Sequence, residues 1–133
     1  MDFTAIFKNQ VSGQIKRITE LALTLEKAGE SPDVQLVEDM MREFHTIKGA
    51  ARAIGYEDIK DVAHAIEDIY QAILQDSVTI RLPDLTDLSL YAIDLVDGLL
   101  KAQLAGTVFT AHQSLGDLAK QYLQGDAISI PKS

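Results

Sequence analysis

The chain has 133 residues, of which 47% are hydrophobic, with a formal charge of -8 and no cysteine. That length suits one domain with a single packed core. The missing cysteines exclude disulfides, thiol catalysis and cysteine-based zinc sites, and the acidic balance argues against nucleic acid and anionic membrane surfaces, both of which call for basic patches. No eighteen-residue apolar run supplies a membrane span, and the start, Met1-Asp2-Phe3-Thr4, lacks the basic region and apolar segment of a signal peptide. A soluble, cytoplasmic, acidic domain is expected.

Apolar residues recur every three or four positions from Phe3 to Ala28 (Phe3, Phe7, Val11, Ile15, Ile18, Leu21, Ala22, Leu25), which predicts a first amphipathic helix. Gly29 and Ser31-Pro32 end it, and Pro32 suits the first turn of a second helix. That helix carries Val37, Met40, Met41, Phe44, Lys48, Ala51 and Ile54 near one face and stops near Gly55. Met40 and Met41 are best read as core packing. A third helix runs from about Glu57 to Gln75 with Ile59, Val62, Ile66, Ile69 and Ile73 inward. Asp76 to Leu82 is a loop. Pro83 opens a fourth helix striped by Leu88, Ala92, Leu95, Leu99 and Ala102, with Asp84, Asp87, Asp94 and Asp97 forming a solvated face. Gly106-Thr107 breaks the chain, and Thr107 can cap a fifth helix holding Ala111, Leu115, Leu118 and Tyr122. Residues 1–125 thus form the domain, and 126–133 show no period and read as a tail or the start of a linker. The expected fold is all-α, an antiparallel bundle of five helices with short connections.

The most informative stretch is Phe44-His45-Thr46-Ile47-Lys48-Gly49-Ala50-Ala51. At about 100° per residue, His45, Gly49 and Arg52 fall along the border of the apolar stripe, on the side away from Ile47. On the third helix, Lys60, His64, Glu67 and Gln71 share one polar face. If the two helices are antiparallel neighbours, Glu67 comes within reach of the His45 ring. A carboxylate accepting the Nδ1 proton holds imidazole in the tautomer whose Nε2 lone pair can attack phosphorus, and it stabilises the charge that grows on the ring. Lys48 is a compact cation able to meet phosphoryl oxygens. Gly49 removes the side chain that would cover the imidazole, at a cost of about 1 kcal/mol relative to alanine in a helix interior.

These residues resemble the histidine phosphotransfer (HPt) family, and more closely the N-terminal phosphoacceptor domain of CheA chemotaxis kinases. The family pattern, roughly H-[ST]-[IL]-K-G followed by a small-residue run ending in Gly and a helix with H-x-x-[EM]-[ED]-type residues, is met by His45 to Gly49, Gly55, His64 and Glu67. The likeness covers nearly the whole chain. CheA proteins often have a second glycine where this chain has Ala50, which falls on the far side of the helix from His45. The resemblance implies a four-helix-bundle core. His45 would be the phosphoacceptor, Glu67 its orienting group, and His64 would support Glu67 by hydrogen bonding. It also implies no ATP site in this domain, and the sequence has neither a Gly-rich phosphate loop nor an Asn/Asp-Gly box. No cofactor of its own is expected; ATP and Mg²⁺ would come with partners. Those partners are a histidine-kinase catalytic domain, in cis or in trans, and response-regulator receiver domains, within a larger CheA-like kinase.

Plainer readings compete. A lone histidine on a helix is usually solvated, and His112, without a partner motif, reads as plain surface. Arg52 reads as solvated too, although it stands one turn past Gly49. His64 and Glu67 at i, i+3 could suggest a metal pair, yet bundle metal sites need several inward carboxylates, so no metal is expected. A docking bundle that carries no phosphate is the main alternative. Intact His45, Lys48, Gly49 and Glu67 argue against it. A ligand-binding bundle enzyme would need buried polar clusters, which the pattern does not show.

Overall fold

The computed structural model describes residues 2–111 and 113–131. Three of the five helices in it begin where a short polar side chain takes up a free first-turn N–H. The first, α1 (Phe3–Ala28), starts at Asp2, whose carboxylate accepts from the Ala5 N–H at 3.2 Å. The second, α2 (Val34–Ile54), starts at Asp33, which accepts from the Gln35 N–H at 3.0 Å. Pro32 therefore lies before the cap rather than in the first turn, because Asp33 offers the acceptor that an open helix end needs. Gly55 closes α2 with φ of 87°, a left-handed conformation that favours glycine, and its N–H returns to the Ala51 and Arg52 carbonyls.

Only Gly55 and Tyr56 separate α2 from α3 (Glu57–Leu74), so the two helices fold back on each other as a tight antiparallel pair. The fourth helix, α4 (Asp84–Ala105), begins one residue later than expected, with Pro83 at the cap position. Helix α1 packs on α2 and α4, and α3 packs on α2 and α4, closing a four-helix ring; α5 (Leu115–Leu123) lies against α3 and α4. Contacts across the ring fix the directions. Phe7, near the start of α1, meets Tyr56 edge-on at 5.2 Å between ring centroids, and Tyr70 of α3 shares a buried 2.5 Å hydrogen bond with Ser89 of α4.

The core follows the expected stripes with physical exceptions. Ile47, not among the residues of the expected stripe, is fully buried, because α2 is covered on two sides, by α1 and α3. On α3, Ala63 and Tyr70 are buried while Val62 is only half-buried. On α4, Leu85, Ile93, Val96 and Leu100 join Leu88, Ala92 and Leu95 in the core, while Leu99 and Ala102 are half-buried. That wide apolar face is what a helix touching α1, α3 and α5 requires.

The last helix is shorter than expected. Thr107 does not cap it. Ser114 does, accepting from the Asp117 N–H at 3.4 Å, and Ala111 lies outside any helix; His112 lies outside the described residues. Residues 107–111 run along α4, where the Phe109 ring occupies the space a Cβ on Gly98 would need, 2.5 Å from the nearest ring carbon. Tyr91 donates to the Gln113 carbonyl at 2.8 Å. Beyond α5, the Arg81 guanidinium stacks on the Tyr122 ring at 4.0 Å and donates to the Tyr122 and Asp126 carbonyls at 3.2 and 3.0 Å. Residues 126–131 form no helix, yet Ile128 and Ile130 are half-buried against the core. Among the described residues no helix is long and apolar enough to cross a membrane.

The Tyr122 hydroxyl accepts from the Arg81 N–H and donates to the Thr79 carbonyl, each at 2.9 Å, tying the α3–α4 connection to α5. Tyr122→Phe leaves both backbone groups unpartnered in a partly buried place. It should lower unfolding free energy by about 1–3 kcal/mol in urea denaturation, with the α2–α3 pair unchanged in structure.

Candidate functional site

The tight Gly55-Tyr56 connection sets α2 and α3 in a register that brings His45 opposite Glu67. The His45 Nδ1 is hydrogen-bonded to Glu67 Oε2, and the other carboxylate oxygen, Oε1, lies 2.6 Å from the Lys48 ammonium. Exposure divides the three sharply. The His45 side chain is 64% exposed, Lys48 15% and Glu67 9%. The polar face read for Lys60, His64, Glu67 and Gln71 therefore breaks at Glu67, which turns under α2 at the margin of the core.

Burial by itself pushes the Glu67 pKa up, but hydrogen bonds and charge from Lys48 and then His45 outweigh it and hold the carboxyl below its ordinary value. Glu67 thus stays ionised at neutral pH. An ionised carboxylate can only accept, so Nδ1 of a neutral His45 must carry the proton. Nε2 then holds the lone pair, and it belongs to the exposed side of the ring. The arrangement is a nucleophilic nitrogen open to solvent, backed by a buried negative charge.

Lys48 was expected to meet phosphoryl oxygens; the structure places its ammonium on Glu67, so its charge acts first on the carboxylate. Gly49 is exposed, and a Cβ added there would meet nothing within 4 Å. Its missing side chain therefore leaves space outside the chain and makes no room for packing within it. His64 is not brought to Glu67. Its Nε2 stands 3.5 Å from Asp68 Oδ1 on the outer surface of α3, because Glu67 leans inward while His64 and Asp68, four residues apart, share the solvent side. Arg52 is exposed in the last turn of α2 and takes no part in the cluster.

One residue of the site escaped the sequence reading. Beside His45 lies a shallow depression of about 350 Å³ lined by Glu38, Met41, Arg42, His45, Glu67 and Leu74. Arg42, three residues before His45, stands on its rim. Its signal in the sequence is the i, i+3 spacing to His45.

The chain belongs to the Hpt (histidine phosphotransfer) domain family, whose model matches residues 2–106. Among relatives, the chemotaxis protein CheA of Borreliella burgdorferi is 26% identical over 123 residues, covering 92% of this chain and 14% of that protein. The gliding motility regulatory protein of Myxococcus xanthus is 36% identical over 93 residues, 70% of this chain and 11% of that protein. The chain thus spans only a small fraction of the length of the curated relatives it matches. A solved structure, the phosphorylated P1 domain of CheA3 in complex with CheY6 from R. sphaeroides, superposes with a TM-score of 0.77 at 20% identity, covering 95% of this chain and 98% of that one. It shares the bundle fold.

Because the folded chain holds Glu67 below its ordinary value, the stability this group contributes is complete above that ordinary value and is lost as pH falls through the lower, folded one. Wild type should therefore exceed Glu67→Gln in urea stability at neutral pH and lose that advantage progressively as pH falls below the ordinary carboxylate range. An advantage that stays constant across the range would mean that the carboxylate is not charged in the fold.

Proposed function

We propose that this chain is the phosphoacceptor domain of a CheA-like histidine kinase, in which His45 Nε2 receives a phosphoryl group and passes it to a receiver-domain aspartate. The observation that carries the reading is the exposed His45 ring with its Nδ1 held by the buried Glu67 carboxylate. In the first step the Nε2 lone pair bonds to the γ-phosphorus of ATP, the bond to the bridging oxygen breaks, and ADP leaves. The ring becomes cationic, its Nδ1 proton remaining in the hydrogen bond to Glu67, whose charge offsets it. In the second step a receiver carboxylate oxygen bonds to phosphorus, the P–Nε2 bond breaks, and its electron pair returns to the ring.

Such transfers depend on positioning and charge stabilisation rather than on covalent machinery in the carrier. ATP, Mg²⁺ and the kinase fold are assigned to a catalytic domain acting in cis or in trans in the cytoplasm. The receiver as acceptor draws its support from the R. sphaeroides neighbour, a phosphorylated domain described in complex with CheY6, and the kinase context from the CheA relatives.

Incubation with a CheA kinase core and labelled ATP tests the assignment. Wild type should take up an acid-labile, base-stable label, and His45→Gln should take up none. Full labelling of His45→Gln, with His64 and His112 intact, would sink it.

Access to Nε2 should depend on the gap at Gly49. A side chain there, at i+4, leans back over the His45 turn, and its Cβ would meet nothing within 4 Å. Gly49→Leu should therefore melt at the same temperature or slightly higher, gaining up to about 1 kcal/mol of helix propensity, while losing phosphoryl transfer to a receiver. Undiminished transfer in a fully folded variant would place the docking surface elsewhere.

A further inference from the structure

Two cations flank His45 on α2, Lys48 three residues after it and Arg42 three residues before. We infer that Arg42, not Lys48, is the cation that takes hold of the phosphoryl group on His45, and that Asp39 holds it in reserve until the group arrives. The inference rests on the phosphoacceptor reading above and names the ligand as the phosphoryl dianion.

The Lys48 ammonium is 2.6 Å from Glu67 Oε1 and its side chain is only 15% exposed. Drawing it away would strip a buried carboxylate of the full positive charge beside it and leave Oε1 unpaired, with only His45 still on Oε2, which is unfavourable. Arg42 is under no such obligation. Its side chain is 62% exposed, and the contact it makes is NH1 to Asp39 Oδ1 at 3.1 Å. Asp39 is half-buried, at 25% exposure, but the guanidinium it holds is in water, where the attraction is screened. Asp39 is not abandoned when the guanidinium leaves, because Gln35 Nε2 already donates to the same oxygen at 2.8 Å.

Position favours the exchange. A helical side chain covers the turn N-terminal to its own Cα, so the His45 ring leans toward Met41 and Arg42, and these residues line one depression with it. A phosphoryl group carries close to two negative charges near neutral pH, more than the single charge of Asp39. The guanidinium fork matches two of its oxygens at once, as an ammonium cannot. Glu38, which lines the depression along with Glu67, lies about two turns from His45.

The test uses phosphoramidate, which labels histidine without a kinase. Nε2 forms the bond to phosphorus, the P–N bond of the donor breaks, and ammonia carries away its electron pair. Arg42→Gln should be labelled about tenfold more slowly, less than the loss for a buried oxyanion donor because the site is wet. Arg42→Lys should recover part of that rate. Asp39→Asn, which frees the guanidinium, should be labelled faster than wild type, and this gain should vanish when Arg42→Gln is added. Thermal melts of the Arg42 variants should coincide closely with wild type, since that side chain is exposed, and melts of the half-buried Asp39→Asn report its stability alongside its labelling rate. Labelling of Arg42→Gln at the wild-type rate, or a gain from Asp39→Asn that persists without Arg42, would overturn the inference while leaving His45 as phosphoacceptor. Absence of label on wild-type His45 would instead defeat the phosphoacceptor reading, and this inference with it.

Discussion

The Glu67 carboxylate is the point on which the site depends. A carboxylate nine-tenths removed from water is unfavourable unless it is paired and hydrogen-bonded, and here Lys48 and His45 each take one of its oxygens. The pairing constrains three things together. It keeps the acid ionised, it sets the imidazole tautomer, and it requires α2 and α3 to meet in one register. A slip of one residue along either helix would turn Glu67 away from its partners and leave a buried charge. The negative charge that sets the His45 tautomer therefore also specifies how the two helices pack.

That register is supported from both ends. The left-handed Gly55 makes a two-residue connection possible at one end of the α2–α3 pair. Along the pair, Phe44 stacks on Tyr70 with centroids 6.2 Å apart, one residue from the phosphoacceptor candidate. Both rings are fully buried, and Tyr70 is anchored in turn to Ser89 of α4. The backbone that carries His45 is thus fixed by packing on its inner side while the imidazole itself faces solvent. The imidazole is held rigidly from beneath and is open from above.

The far side of the bundle is organised differently. Around α4 and α5, Arg81, Tyr122 and Tyr91 bond to backbone carbonyls of segments that form no helix, and Phe109 rests on α4 where Gly98 has no side chain. Irregular chain lies there because its backbone polar groups find side-chain partners, as buried or half-buried backbone must. Among the described residues nothing of this kind covers the outer face of α2 at His45 and Gly49.

The sequence by itself determined the helices and most of the core. Period and caps are local properties, so α1 and α3 are legible to within a residue, and His45, Lys48 and Glu67 stand out as a candidate cluster that the structure brings together. Tertiary structure decided what depends on neighbours. It buried Ile47, because α2 has cover on two sides, and it gave α5 to Ser114 instead of Thr107, because residues 107–111 are taken up in crossing α4. It turned Glu67 inward and left His64 outside with Asp68, although the two stand only one turn apart. It also assigned Lys48 to the carboxylate. A helical wheel gives the direction of a side chain around its own axis; which charge it meets there is set by the helix packed against it, and that helix is placed only by the whole bundle.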